Sequence, residues 1–157
     1  MQRLAGDQRV ALATIAIPHP YPDGAAEAWI STHADAFQAL QEITFAVTLC
    51  EEGVLVGAIS LFDIHMRHAR AEVGYWTGVE HWNRGYCTEA FSRIISYAYE
   101  LGITKVIARC SEQNAASARV MEKAGLVREG RLAKHWFERG RYDDVLLYGI
   151  ILAGRGE

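Results

Sequence analysis

Between Phe91 and Ala98, apolar residues recur at i, i+3, i+4 and i+7 (Phe91, Ile94, Ile95, Ala98), the period of one helical face. The run begins where a tight turn, His81-Trp82-Asn83-Arg84-Gly85, ends, so a loop presents a long helix N-terminus first, and Gly102 stops it. A second helix is predicted from Asn114, its cap, to Gly125, its stop. Upstream, β-branched runs at Ile43 to Cys50 and Val54 to Ile64, joined by Glu51-Glu52-Gly53, predict a hairpin, and Ala71 to Thr77 a further strand. Lys105 to Cys110, Leu126 to His135 and Tyr142 to Ile151 complete the strands, the last two separated by the turn residues 138–141. Pro18-His19-Pro20-Tyr21-Pro22 is a rigid extended spacer, after which Asp23 caps a helix with Ala26, Trp29, Ile30, Ala34 and Phe37 on one face. Residues 1–17 offer one short helix, about Asp7 to Ala13, and no clear strand. The order is that of an α/β (α+β) fold, a mixed sheet with helices on both faces.

Half of the 157 residues are hydrophobic and no composition break interrupts them, so a single domain over residues 1–157 is expected. A net charge of -3 argues against nonspecific nucleic-acid binding. The apolar run Val145 to Leu152 is too short to span a membrane, and the N-terminus lacks a signal-peptide layout, so a cytoplasmic protein is expected. As a strand, that run is either a buried core element or the pairing edge of a homodimer. Cys50, Cys87 and Cys110 have no metal-type spacing and are expected as free thiols, and His65 with His68 reads as solvated turn, so no metal is expected.

The turn before the long helix has chemical content. The first amides of a helix lack intrahelical partners and sit at the positive end of the macrodipole, which suits a phosphate. Gly85 admits close approach, Arg84 adds a cation and Thr88 a hydroxyl donor. Alone, such a turn is equally an ordinary entry to a surface helix. Paired with Asn114-Ala-Ala-Ser117-Ala-Arg-Val-Met121-Glu-Lys-Ala-Gly125-Leu126, it resembles the GNAT (Gcn5-related N-acetyltransferase) superfamily over about Ile17 to Ile151, most like the branch of the ribosomal-protein alanine N-acetyltransferases.

The resemblance implies a mostly antiparallel central sheet splayed between the strands 71–77 and 105–110. It also implies acetyl-coenzyme A as acetyl donor, its pantetheine against Trp76, Thr77 and Val79 and its pyrophosphate on Arg84, Gly85, Tyr86, Cys87 and Thr88. Asn114 would add a bond to the pantetheine arm beside its capping role, and Ser117 would serve the departing thiolate. Glu72 stands where the histone-acetylating branch has its general base; otherwise it is an exposed carboxylate or a partner of Arg67 or Arg70. Strand alternation puts Glu72, Gly74 and Trp76 on one face and Val73, Tyr75 and Thr77 on the other. Tyr21 falls on the loop that overhangs the acceptor in this branch, and Asp143 and Asp144, after the turn, could equally face the acceptor and attract its ammonium. The basic residues Arg128, Arg131, Lys134, Arg139 and Arg141 are either solvating or a surface for an acidic partner.

Four departures stand out: the usual first strand is missing, Trp82 replaces Gln or Arg, Cys87 replaces Gly or Ala, and Met121 replaces a Tyr. At a helix N-terminus Cys87 is either a small packing residue or an acidified thiol. The expected activity is acetyl transfer to a primary amine, with a protein or peptide α-amine favoured. A small amine such as a polyamine or aminoglycoside, and a degenerate coenzyme A-binding module, are the alternatives.

Overall fold

Alternation along the strands divides the sheet into two unlike faces, and that division positions everything else. The computed structural model describes residues 1–152. Its six strands are β1 (Glu42–Thr48), β2 (Leu55–His65), β3 (Arg70–Thr77), β4 (Lys105–Ser111), β5 (Val127–Glu138) and β6 (Arg141–Ile151), in the spatial order β1-β2-β3-β4-β6-β5. Only β3 and β4 run parallel, and they pair over just Arg70–Glu72 with Lys105–Ile107. Beyond that seam the strands splay, as the resemblance implies.

One face, with Ile43, Ile59, Leu61, Val73, Val106, Ala108, Leu146 and Tyr148, is buried in a core with Phe91, Ile94 and Ala98 of α5 (Tyr86–Glu100) and Met121 of α6 (Ala115–Lys123). Fully burying a Leu- or Phe-sized side chain contributes about 1.5–3 kcal/mol, so this face carries most of the stability. The opposite face carries Ala58, Ser60, Phe62, Glu72, Gly74, Trp76, Arg109 and Ser111, roofed by residues 12–18, Tyr21 and Trp29. Glu72, Gly74 and Trp76 thus share a face, as alternation requires.

Residues 1–17 form two short helices, α1 (Gln2–Ala5) and α2 (Gln8–Ala13), the second capped by Asp7, which accepts from the Arg9 amide at 2.9 Å. Here β1 is therefore an outer strand. The helix expected from Asp23 differs in two respects. Its cap is Gly24 in the left-handed region (φ 78), because Asp23 accepts from Gln2 Nε2 instead. It also divides at Thr32 into α3 (Ala25–Ser31) and α4 (His33–Gln38), where the Ser31 and Thr32 hydroxyls bond back to the Ala28 and Trp29 carbonyls. Of the expected apolar face only Ala26 is buried; Ile30 and Phe37 are half exposed, because α4 lies along the outer strand β1.

The β5–β6 turn is tighter than expected. Arg139 and Gly140 both have positive φ (53 and 77), which suits the right-handed twist of the flanking strands. With a neighbour on each side, β6 is an interior strand with no free edge for a dimer. No helix among the described residues is long and apolar enough to cross a membrane.

Close backbone packing at Gly57 sets the end of β3. A Cβ there would lie 2.0 Å from the Trp76 carbonyl oxygen and 2.8 Å from Thr77 Cα. Gly57→Ala is therefore expected to lower stability by about 3 kcal/mol, read as a fall in the urea midpoint at unchanged m-value.

Candidate active site

The splay opens the sheet from one face to the other. A cavity of about 580 Å³ touches Glu72 and Trp76 on the roofed face and, through the gap, Tyr75, Cys110 and Ser117 on the helix-covered face. Tyr21 lines it, as expected of the overhanging loop, and so does Asp143; burial pushes the Tyr21 phenol up.

Glu72 is 5% exposed, and both of its oxygens accept from Arg109, at 2.8 Å from Nε and 2.7 Å from Nη2. Its partner is thus neither Arg67 nor Arg70; Arg70 bonds Asp63 instead. The match follows from the parallel register, which sets Glu72 against Ile107 and leaves Arg109 two residues further along the same face.

At the other end of the gap, the Ser117 hydroxyl lies 2.7 Å from the Tyr75 hydroxyl, which also reaches the Ser117 carbonyl at 3.1 Å. Burial pushes the Tyr75 phenol well up, the bond to Ser117 pulling the other way, so Tyr75 stays protonated. Its ring meets Phe91 edge-on. Asn114 caps α6 by accepting from the Ser117 amide at 3.0 Å and donates to the Ala13 carbonyl at 3.0 Å, tying α2 to this helix. Met121 is fully buried in the core rather than at the gap.

The phosphate-type turn takes its expected form. Gly85 adopts φ 87, nothing lies within 4 Å of where its Cβ would stand, and no side chain caps α5. The first intrahelical bond here is Glu89 N–H to the Gly85 carbonyl, so the amides of Tyr86, Cys87 and Thr88 precede it. Arg84 is exposed beside them. Trp82 turns its indole N–H back to the Thr77 carbonyl at 2.9 Å, and its amide bonds the Val79 carbonyl at 3.1 Å. The Thr77 and Val79 carbonyls at the β3 end therefore each accept one bond within the chain. Cys87 packs against the Thr77 hydroxyl (3.6 Å), and burial pushes its thiol up, which makes it the small packing residue and not an acidified thiol. Burial pushes Cys110 up to about 11 as well.

An open αL glycine, bare helix-start amides and an exposed cation are the chemistry that suits a phosphate or pyrophosphate, and the gap in the sheet suits an extended ligand. A family model described as an acetyltransferase (GNAT) domain matches residues 1–127. The chain belongs to the GNAT acetyltransferase family. The uncharacterised N-acetyltransferase YoaA of Bacillus subtilis (strain 168) is 31% identical over 123 residues, 78% of this chain and 70% of that protein. The spermidine N(1)-acetyltransferase of Vibrio cholerae (serotype O1, strain El Tor Inaba N16961) is 29% identical over 92 residues, 58% of this chain and 53% of that protein. Among solved GNAT structures, the ribosomal-protein α-N-acetyltransferase RimL with coenzyme A superposes with a TM-score of 0.87 at 18% identity, covering 96% of this chain and 86% of that one. That likeness is one of fold.

Tyr75 and Arg109 line the cavity, and reading the sequence missed both. Each is remote from its partner along the chain, and only strand parity hinted at either.

Proposed function

We propose that this GNAT enzyme transfers the acetyl group of acetyl-coenzyme A directly to a primary amine, with the α-amine of a protein or peptide as the favoured acceptor. The observation that carries the reading is the gap itself: one cavity touches Glu72 and, through the sheet, the Tyr75–Ser117 pair, while the bare amides of α5 follow the end of the same strand, β3. Bound there, acetyl-coenzyme A supplies an activated thioester. Arg84, Gly85, Tyr86, Cys87 and Thr88 would hold its pyrophosphate, while Trp76, Thr77, Val79, Asn114 and Ser117 line the path of its arm.

Ser117 donates its hydroxyl hydrogen toward the departing sulfur, and the Tyr75 hydroxyl, kept protonated, holds it in place from 2.7 Å behind. Glu72 receives the acceptor's proton through water. The acceptor's own ionisation decides between acceptors. An α-amine with a pKa of about 7.7–8.0 is partly neutral already, whereas a lysine side chain near 10.4 asks for far more help. The polyamine reading draws on the spermidine acetyltransferase relative.

The test is thiol release from acetyl-coenzyme A with three acceptors: a peptide with a free α-amine, its N-blocked counterpart carrying one lysine, and spermidine. The free α-amine is expected to react fastest, and Glu72→Gln to lower kcat at least about tenfold with acetyl-coenzyme A affinity unchanged. Preference for spermidine or the blocked peptide would overturn the acceptor assignment. Binding without release from any acceptor would leave a coenzyme A-binding module.

A further inference from the structure

We infer that Asp143 is the group that receives the acceptor as an ammonium ion, and that this ion is borne on an apolar or aromatic carbon skeleton; the inference rests on reading the cavity as the acceptor site. Asp143 stands at the start of β6, opposite Trp136 in register, and lines the cavity. Its side chain is 13% exposed, and its Oδ1 is buried without a hydrogen-bond partner. The neighbouring cation, Arg141, gives Oδ2 only a long 3.4 Å bond and holds Nε 3.4 Å from Oδ1, with its own side chain 60% exposed. Among the other carboxylates nearby, Glu138 also lines the cavity but is not among the groups with a buried, unpartnered oxygen, and three more are engaged. Glu72 is taken by Arg109, Glu42 accepts from Thr44, and Asp144 accepts from Arg131 and from the Lys134 amide.

A buried carboxylate oxygen with no donor is costly, and the cost is recovered when a charged N–H fills it. The rest of the lining says which kind of cation that is. Trp29, Trp76 and Trp136 with Ile15 and Phe62 give the cavity an aromatic, apolar wall, which favours an ammonium whose carbon body is apolar and whose charge meets ring faces. For a peptide acceptor, this describes a free N-terminus on an apolar first residue.

The test is binding without turnover. Because three tryptophans line the cavity, intrinsic fluorescence reports its occupancy. The probes are phenethylammonium and phenethyl alcohol, matched in body and differing in charge. Asp143→Asn is expected to weaken the cation about tenfold or more, leave the alcohol unchanged and move the urea midpoint little, since the one ion pair it removes, to the exposed Arg141, is long at 3.4 Å. Arg141→Gln, on the surface, is expected to tighten the cation a few-fold by removing the competing charge, a result that does not depend on how Asp143 variants fold. Equal weakening of both probes, cation binding indifferent to both substitutions, or no binding of phenethylammonium to wild type would overturn the inference. Selective loss of the cation in Asp143→Asn with no thiol release from any acceptor would sink the transferase reading alone. Thiol release with binding that ignores Asp143 would sink only the ammonium-receiving role of that carboxylate.

Discussion

Arg109→Met is expected to cost about 3–5 kcal/mol of stability, because it strands Glu72 as a buried carboxylate with no partner. In the native protein Glu72 is 5% exposed and takes both of its charge-assisted bonds from this one guanidinium. For a chain of this size the loss corresponds to roughly 10 °C in Tm. The double variant Arg109→Met with Glu72→Leu is expected to regain most of it, since an apolar pair of similar volume carries no desolvation cost. Thermal and urea unfolding of the four-member cycle measure this, and a double variant as unstable as Arg109→Met would mean that packing around Arg109 matters more than charge. The pH course is also defined. The bond to Glu72 raises the Arg109 pKa above its ordinary value, so its contribution is full below the unfolded pKa and is lost only as pH rises through the higher folded one. Arg109 titration therefore removes no stability near neutrality.

The second large effect is on ligand affinity. Gly85→Val is expected to weaken acetyl-coenzyme A about 30-fold, near 2 kcal/mol. Two causes add. At φ 87 a β-branched residue is strained, and its side chain would project over the amides of Tyr86, Cys87 and Thr88 that the ligand must reach. Nothing lies within 4 Å of the Cβ position, so the new Cβ itself meets open space. Gly85→Ala keeps the strain but has less reach, and should fall between. Calorimetric titration decides; an unchanged Kd for Gly85→Val would mean that the ligand's phosphates do not rest on this turn.

What could be read from the sequence was what local rules govern. Gly85, the Asn114 cap and the two faces of β3 follow from turn chemistry, capping and period-two alternation, each set within a few residues. Glu72 was legible as a carboxylate at the gap, but its partner was not. Arg67 and Arg70 are near in sequence, whereas Arg109 arrives through a parallel crossover whose register no local signal encodes. Tyr75 and Ser117 meet across 42 residues for the same reason. The helix expected from Asp23 failed because a helical period predicts a face without predicting its cover, and the hydroxyls of Ser31 and Thr32 compete for the carbonyls before them.

The short seam between β3 and β4 has a mechanical meaning. Three residue pairs join β1-β2-β3 to β4-β6-β5, and the Arg109–Glu72 clasp is fastened at its open end. The sheet is thus two leaves on a narrow hinge. Any molecule gripped by both leaves takes over the spacing that the backbone leaves unset, so its width becomes part of the architecture.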